Sequence, residues 1–163
     1  MRSLFKLSYN APVTLTFVLL SLLVFGLSIF TQGASTILLF CVYPSPLSDP
    51  FAYFRLFGHV LGSAGYDHFL NNAMFLLLLG PMIEEKYGGQ KLLLMILFTA
   101  FVTGIISVLF TDYALLGASG IVFMMILLSS FVNLKKGRLP VTFLLIMVIF
   151  IGREIYDGIY QGN

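Results

Sequence analysis

Residues 68–91 read HFLNNAMFLLLLGPMIEEKYGGQK, with no charge from His68 to Ile83 and then Glu84, Glu85, Lys86 and Lys91 close together. As a helix rising about 1.5 Å per residue, the uncharged run reaches about 24 Å, short of the roughly 30 Å core of a bilayer. It crosses only by extending into its polar flanks or by meeting thinned lipid, so it belongs inside a bundle. The composition supplies that bundle. The 163 residues are 59% hydrophobic and 10% charged, with a mean hydropathy of +1.00, against about a quarter charged in an ordinary soluble domain. Too few polar residues are available to cover a water-soluble globule, and lipid is the solvent. A net charge of +2 is too small for a nucleic-acid-binding field. The lone Cys41 excludes an intrachain disulfide scaffold.

Working outward, the other uncharged runs are 7–48, 92–111, 113–134 and 139–152. The first is too long for one crossing and is broken by Thr31-Gln32-Gly33 after Pro12–Phe30. Pro44-Ser45-Pro46 and Asp49-Pro50 then argue against helix, so 31–67 reads as a long, partly apolar loop resting in the interface. The expected fold is an all-α membrane bundle, one domain over 1–163, with five transmembrane helices at about 12–30, 68–85, 90–110, 119–134 and 139–153. A signal peptide is the competing reading of residues 1–30. The apolar run exceeds a signal h-region, and Thr31 to Ser35 matches a cleavage site only weakly.

Arg2, Lys6, Lys86, Lys91, Lys135, Lys136 and Arg138 fall on one side of such a bundle, and Arg55 and Arg153 on the other. By the positive-inside rule the N-terminus and the turns near 84–91 and 133–138 are cytoplasmic, and the 31–67 loop is outside.

Polar groups within a lipid-solvated bundle are costly unless they face its interior or water, and few are present. His68 and Asn72, four apart at the outer end of the second span, share a helical face. Their plain reading is interhelical hydrogen bonding. Gly117-Ala118-Ser119-Gly120 opens the fourth span after a polar loop. Its plain readings are close helix packing by small residues and N-capping by Ser119. Its chemical reading is a serine at a helix N-terminus, where backbone N–H groups lack intrahelical acceptors and suit an oxyanion. Both helices run inward from the same side, so a hydroxyl, an amide and an imidazole meet at one depth. That combination suits hydrolysis, with a nucleophile and donors for a tetrahedral oxyanion.

Together these residues resemble the rhomboid family of intramembrane serine proteases. The resemblance rests on Phe54-Arg55 in the outer loop, Ala64-Gly65-Tyr66-Asp67-His68 leading into a helix, His68 and Asn72 as HxxxN, Gly80 with Glu84 and Gly88, and GxSG at 117–120. It implies a six-helix bundle, of which this chain is expected to supply five helices, that cleaves transmembrane protein substrates near the outer face of a bacterial plasma membrane. It further implies Ser119 as nucleophile, with His68, Asn72 and the Ser119 N–H as the oxyanion-stabilising group. Arg55 and Glu84 resemble structural tethers, and Phe123 stands where the family often has a tyrosine packed on the catalytic histidine. Ser63 stands where the family commonly has another histidine, and Phe54 where it has tryptophan.

The general base is the gap. In the family it is a histidine on a sixth helix, and this chain has only His59 and His68, neither at that position. The expectation is therefore a Ser-His dyad whose histidine lies outside this chain, the sixth helix being absent. An alternative is a non-catalytic rhomboid-like protein that binds transmembrane clients; a small channel or transporter subunit is a third reading, opposed by the clustering of polar residues at one end. His68 serving as the base is a further alternative, against which stands its pairing with Asn72. Two histidines nine apart without a carboxylate in register are no ligand set, and no phosphate-binding loop occurs, so neither a metal nor a cofactor is expected.

Overall fold

The computed structural model describes residues 8–46, 48–111, 113–134 and 140–160. Arg2, Lys6, Lys135, Lys136 and Arg138, which carry much of the orientation argument, lie outside the described residues, as does Asp112. The described chain is all-α: α1 Pro12–Phe30, α2 Ala34–Phe40, α3 Pro50–Gly58, a 3-10 turn His59–Leu61, α4 Tyr66–Tyr87, α5 Gly89–Phe110, α6 Ser119–Leu134 and α7 Val141–Tyr160. Among the described residues, extended pairing is limited to one isolated antiparallel bridge between Val42 and Leu115.

The short uncharged runs do extend into their flanks. α4 takes in Glu84, Glu85 and Lys86 to reach 22 residues, about 33 Å, and α7 runs 20 residues. α1 and α5 are each long and apolar enough to cross a membrane.

The 31–67 segment is not the helix-free loop expected of it. Pro50 was read as a helix breaker, but it occupies the first turn of α3, where its missing N–H costs nothing. Asp49 is the N-cap, its carboxylate accepting the Phe51 N–H at 2.9 Å. α2 begins after Gly33, whose φ of +87° turns the chain out of α1. The two short helices lie at the end of the bundle where α1 stops and α4 begins.

α6 is the central helix, with Ile121, Val122, Met125 and Ile126 fully buried. Leu92, Ile96 and Ala100 of α5, Leu76 and Ile83 of α4 and Phe17 of α1 join the same core. The outward surfaces are apolar, as lipid requires: Leu23 and Ile29 of α1, Phe98 and Leu109 of α5 and Val148 of α7 are all exposed. Since lipid supplies no hydrophobic drive between helices, close approach and polar contacts must hold them. The α1–α4 pair has both. A Cβ placed on Gly80 would lie 2.4 Å from Thr14 Cγ2, so only glycine lets the two backbones come this near. One turn further, the buried Glu84 carboxylate accepts the Val13 and Thr14 N–H groups and the Thr14 hydroxyl, each at 2.9 Å.

That contact explains an otherwise uncapped helix. α1 has Ala11 at its N-cap and no side-chain cap of its own, leaving donors that a bilayer-embedded bundle cannot leave bare. Glu84 caps α1 from another helix, and its negative charge sits at the positive end of the α1 dipole. The resemblance implies a structural tether at Glu84, and the partner of its carboxylate is the first turn of α1.

Candidate active site

Four segments converge at the other end of α4: the 63–65 turn, His68 and Asn72 of α4, the 3-10 turn at His59, and the 113–119 loop that leads into α6. The loop is held at two points. Val42 and Leu115 exchange both backbone hydrogen bonds at 2.9 Å, and the Gly117 N–H donates to the His59 carbonyl at 2.9 Å.

Between these clamps and the helix the backbone turns sharply. Gly117 has φ +117°, and a Cβ there would fall 2.6 Å from His68 Cε1 and 2.8 Å from its Nε2. Both the conformation and the space demand glycine. The HxxxN pair and the GxSG string, in separate helices, are thus brought together by an imidazole edge seated on a glycine. Gly120 has a different role: a Cβ there would lie 3.3 Å from Thr103 Cγ2, so it serves close packing of α6 on α5.

Ala118 takes the N-cap position of α6, its carbonyl accepting the Val122 N–H at 2.9 Å. Ser119 is therefore the first helical residue, not the cap that its plain reading offered. Its N–H and that of Gly120 are among the first four of the helix, which have no intrahelical acceptor. The dipole of α6 adds partial positive charge at the same place.

His68 is half-buried, and its Nδ1 accepts the Ala64 N–H at 3.3 Å. A neutral imidazole that accepts at Nδ1 carries its proton on Nε2, and Nε2 is the edge turned to Gly117. The Nε2 edge of the ring thus faces the loop that leads to Ser119. Asn72 is buried one turn along the same face. It lines a small cavity with Ser21, Ser63 and Ala118.

Ser119 is partly exposed and lines an open cavity of about 430 Å³ with Gly120, Phe123, Phe150, Ile151 and Ile155. Phe123 packs on Phe150 of α7, ring centroids 6.3 Å apart and planes 20° apart. Phe150 meets Phe75 of α4 edge-on at 5.8 Å. Phe123, which the resemblance set against a catalytic histidine, has Phe150 as its aromatic neighbour among the described residues.

Arg55 is fully buried away from Ser119. Its guanidinium donates to the Leu38 carbonyl at 3.0 Å, the Ser45 hydroxyl at 2.9 Å and the Asp49 carboxylate at 2.5 Å, and covers the Tyr43 ring at 4.3 Å. One side chain ties α2, the 43–49 segment and α3 together, a use of the planar fork that lysine cannot copy. The hydrogen bond from Arg55 holds the Asp49 carboxyl below its ordinary range.

His59 is the residue that the sequence reading left without a role. It is fully buried, with Nδ1 3.1 Å from the Arg55 carbonyl and Nε2 3.3 Å from the Thr103 hydroxyl. Burial pushes its imidazole below the usual histidine range, so it stays neutral. Its carbonyl holds Gly117, and Thr103 packs on Gly120, so His59 links the Arg55 anchor to both flanks of Ser119. The available signal was the four-residue spacing from Arg55. Among the described residues no cluster of His, Cys, Asp or Glu could hold a metal ion.

Compared with protein-family models, residues 50–163 match the rhomboid domain. The match takes in Arg55, His59, His68, Asn72, Glu84 and the whole 117–120 string.

Proposed function

Because this chain belongs to the rhomboid family, integral membrane proteins that are generally serine proteases, we propose that it is an intramembrane serine endopeptidase whose nucleophile is Ser119. The observation that carries this reading is the contact of His68 with Gly117. It sets an imidazole N–H beside a helix N-terminus that begins with a serine. Attack by the Ser119 hydroxyl on a peptide carbonyl places negative charge on the carbonyl oxygen. The Nε2–H of His68, the Asn72 amide and the first N–H groups of α6 are the donors for it. Collapse of that intermediate requires a proton at the leaving nitrogen, delivered by the base that first took it from Ser119.

Neither histidine of these 163 residues suits that role. His59 is enclosed between Arg55 and Thr103, and His68 holds its proton on the edge facing the loop. The substrate is a transmembrane protein, cut near the outer face where α4 and α6 begin, in a bacterial plasma membrane with the N-terminus cytoplasmic. Lys86 and Lys91, at the opposite end of the bundle from Ser119, support that orientation.

The test is cleavage of a transmembrane substrate in liposomes by the natural full-length protein. Ser119→Ala is expected to abolish cleavage, and persistent cleavage refutes the assignment. His68→Ala and Asn72→Ala are expected to lower kcat about 100- to 1,000-fold, the cost of one oxyanion donor.

A second reading has its own support. Gly120, Phe123, Phe150, Ile151 and Ile155 give the cavity beside Ser119 an apolar wall among the described residues, which suits a protein that holds transmembrane clients without cutting them. Capture of a transmembrane peptide by the natural full-length protein, with no cleavage of it, would favour that reading over the first.

A further inference from the structure

The entry to α4 has no side-chain cap of its own at Gly65. Two neighbouring contacts organise it instead. The buried Ser63 hydroxyl donates to the Gly65 carbonyl at 3.1 Å, and the same carbonyl accepts the Phe69 N–H at 2.9 Å, the first rung of the helix. Between Ser63 and Gly65 lies Ala64, whose N–H donates to His68 Nδ1. His68 is the third helical residue, and its side chain reaches back toward the start of its own helix as the Glu or Gln of a capping box does.

We propose that Ser63 is the positioning residue that fixes the tautomer of His68. By clamping the 63–65 turn on the Gly65 carbonyl, its hydroxyl keeps the Ala64 N–H on Nδ1, so the neutral imidazole carries its proton on Nε2 and presents it to the Gly117–Ser119 loop. The chain of cause is short. Without the clamp, the turn is a three-residue segment between Gly62 and the helix, free to rotate the Ala64 peptide. Once that N–H leaves, Nδ1 can hold the proton and Nε2 becomes an acceptor. A ring in that state offers nothing to an oxyanion. The inference rests on the reading of His68 as an oxyanion donor for its functional meaning, but the tautomer itself is a property of the resting protein.

This separates the test from catalysis. The chain has two histidines, so ¹⁵N-histidine labelling in bicelles gives two side-chain patterns, and His68→Gln assigns them. At a pH where the ring is neutral, His68 of the natural chain is expected to show Nδ1 as the unprotonated, pyridine-like nitrogen and Nε2 as the protonated one, as a single population. Ser63→Ala is expected to bring in an Nδ1–H population and to speed hydrogen exchange at the Ala64 amide about two- to tenfold, as loss of one hydrogen bond predicts. Ser63→Thr, which keeps the hydroxyl, is expected to restore both signals. An Nδ1–H ring in the natural chain overturns the proposal without any variant. An unchanged tautomer and Ala64 exchange rate in Ser63→Ala overturns it too. If the tautomer behaves as expected while no form of the protein cleaves a substrate, the catalytic reading fails and the positioning role of Ser63 stands.

Discussion

The two ends of α4 solve the same problem with opposite chemistry. At one end a buried carboxylate, Glu84, reaches into the first turn of α1 and takes three hydrogen bonds. At the other a half-buried imidazole rests on Gly117 and is oriented by a backbone N–H. The first joint is charged, closed and paired, and its glycine, Gly80, serves only to let two helices approach. The second is neutral and partly open, built from backbone groups and a strained glycine. Under the proposed catalytic reading, the open end stabilises charge only transiently and does better with dipoles already aimed than with a fixed ion, while a joint that must never open does better with the ion. The difference teaches where this molecule is closed and where it is accessible.

Breaking the closed end should cost most. Glu84→Ala leaves two backbone N–H groups of α1 unsatisfied in a buried site, and an expected loss of about 3–5 kcal/mol follows from the price of buried unpaired donors. Unfolding in mixed micelles measures it, and Glu84→Gln should recover part of the loss because its amide oxygen still accepts. Next comes the open end. Gly117→Ala forces a side chain into both a positive φ and the His68 ring, with an expected cost of about 2–4 kcal/mol. Unlike Glu84→Ala, it should also shift the His68 side-chain nitrogen resonances while the bundle is still folded. If Gly117→Ala leaves that signal in place, the imidazole is not seated where the comparison requires.

Arg55→Lys tests whether the loop anchor belongs with the rigid end. Loss of the fork's bonds to Leu38, Ser45 and Asp49 should cost about 1–3 kcal/mol, with faster hydrogen exchange confined at first to α2 and α3. Acid probes the same anchor more gently. Asp49 has its pKa lowered in the fold by Arg55, so its contribution is present above the ordinary carboxylate range and is lost as pH falls through the lowered value. Exchange in α3 should therefore rise in strong acid, and the rise should vanish in Asp49→Asn. The smallest effect belongs to Gly120→Ala, where a methyl meets the Thr103 methyl at 3.3 Å and the Thr103 hydroxyl and Thr99 methyl at 4.0 Å. A change under about 1 kcal/mol is expected, and a larger one in the same unfolding assay would move Gly120 into the strained class of Gly117.

The gaps between charges told where the helices are, because a charge inside lipid is costly enough to be rare. α1 runs from Pro12 to Phe30 and α6 begins at Ser119. Pro50 misled because the same residue stops a helix from within and starts one from its first turn; Asp49 before it was the discriminating sign. The partners of Glu84 were out of reach. Thr14 lies seventy positions away, and nothing local marks which helix start a distant carboxylate will cap. His59 was visible as a residue but not as a linker, since its most consequential contact is made by its backbone carbonyl, about which the side chain says nothing.

The Val42–Leu115 bridge has a consequence for how this chain tolerates length changes. It divides the loop before α6 into two parts under different rules. Tyr113 and Ala114 are exposed and lie before the bridge, so extra residues there can bulge outward and leave everything downstream in register. From Leu115 to Ser119 the path is clamped at Val42 and again at His59, and a single added residue would rotate the start of α6 by about 100°. A tag spliced in at Tyr113 and one spliced in at Leu116 would thus be a few ångströms apart in design and very different in what they leave of the serine's address.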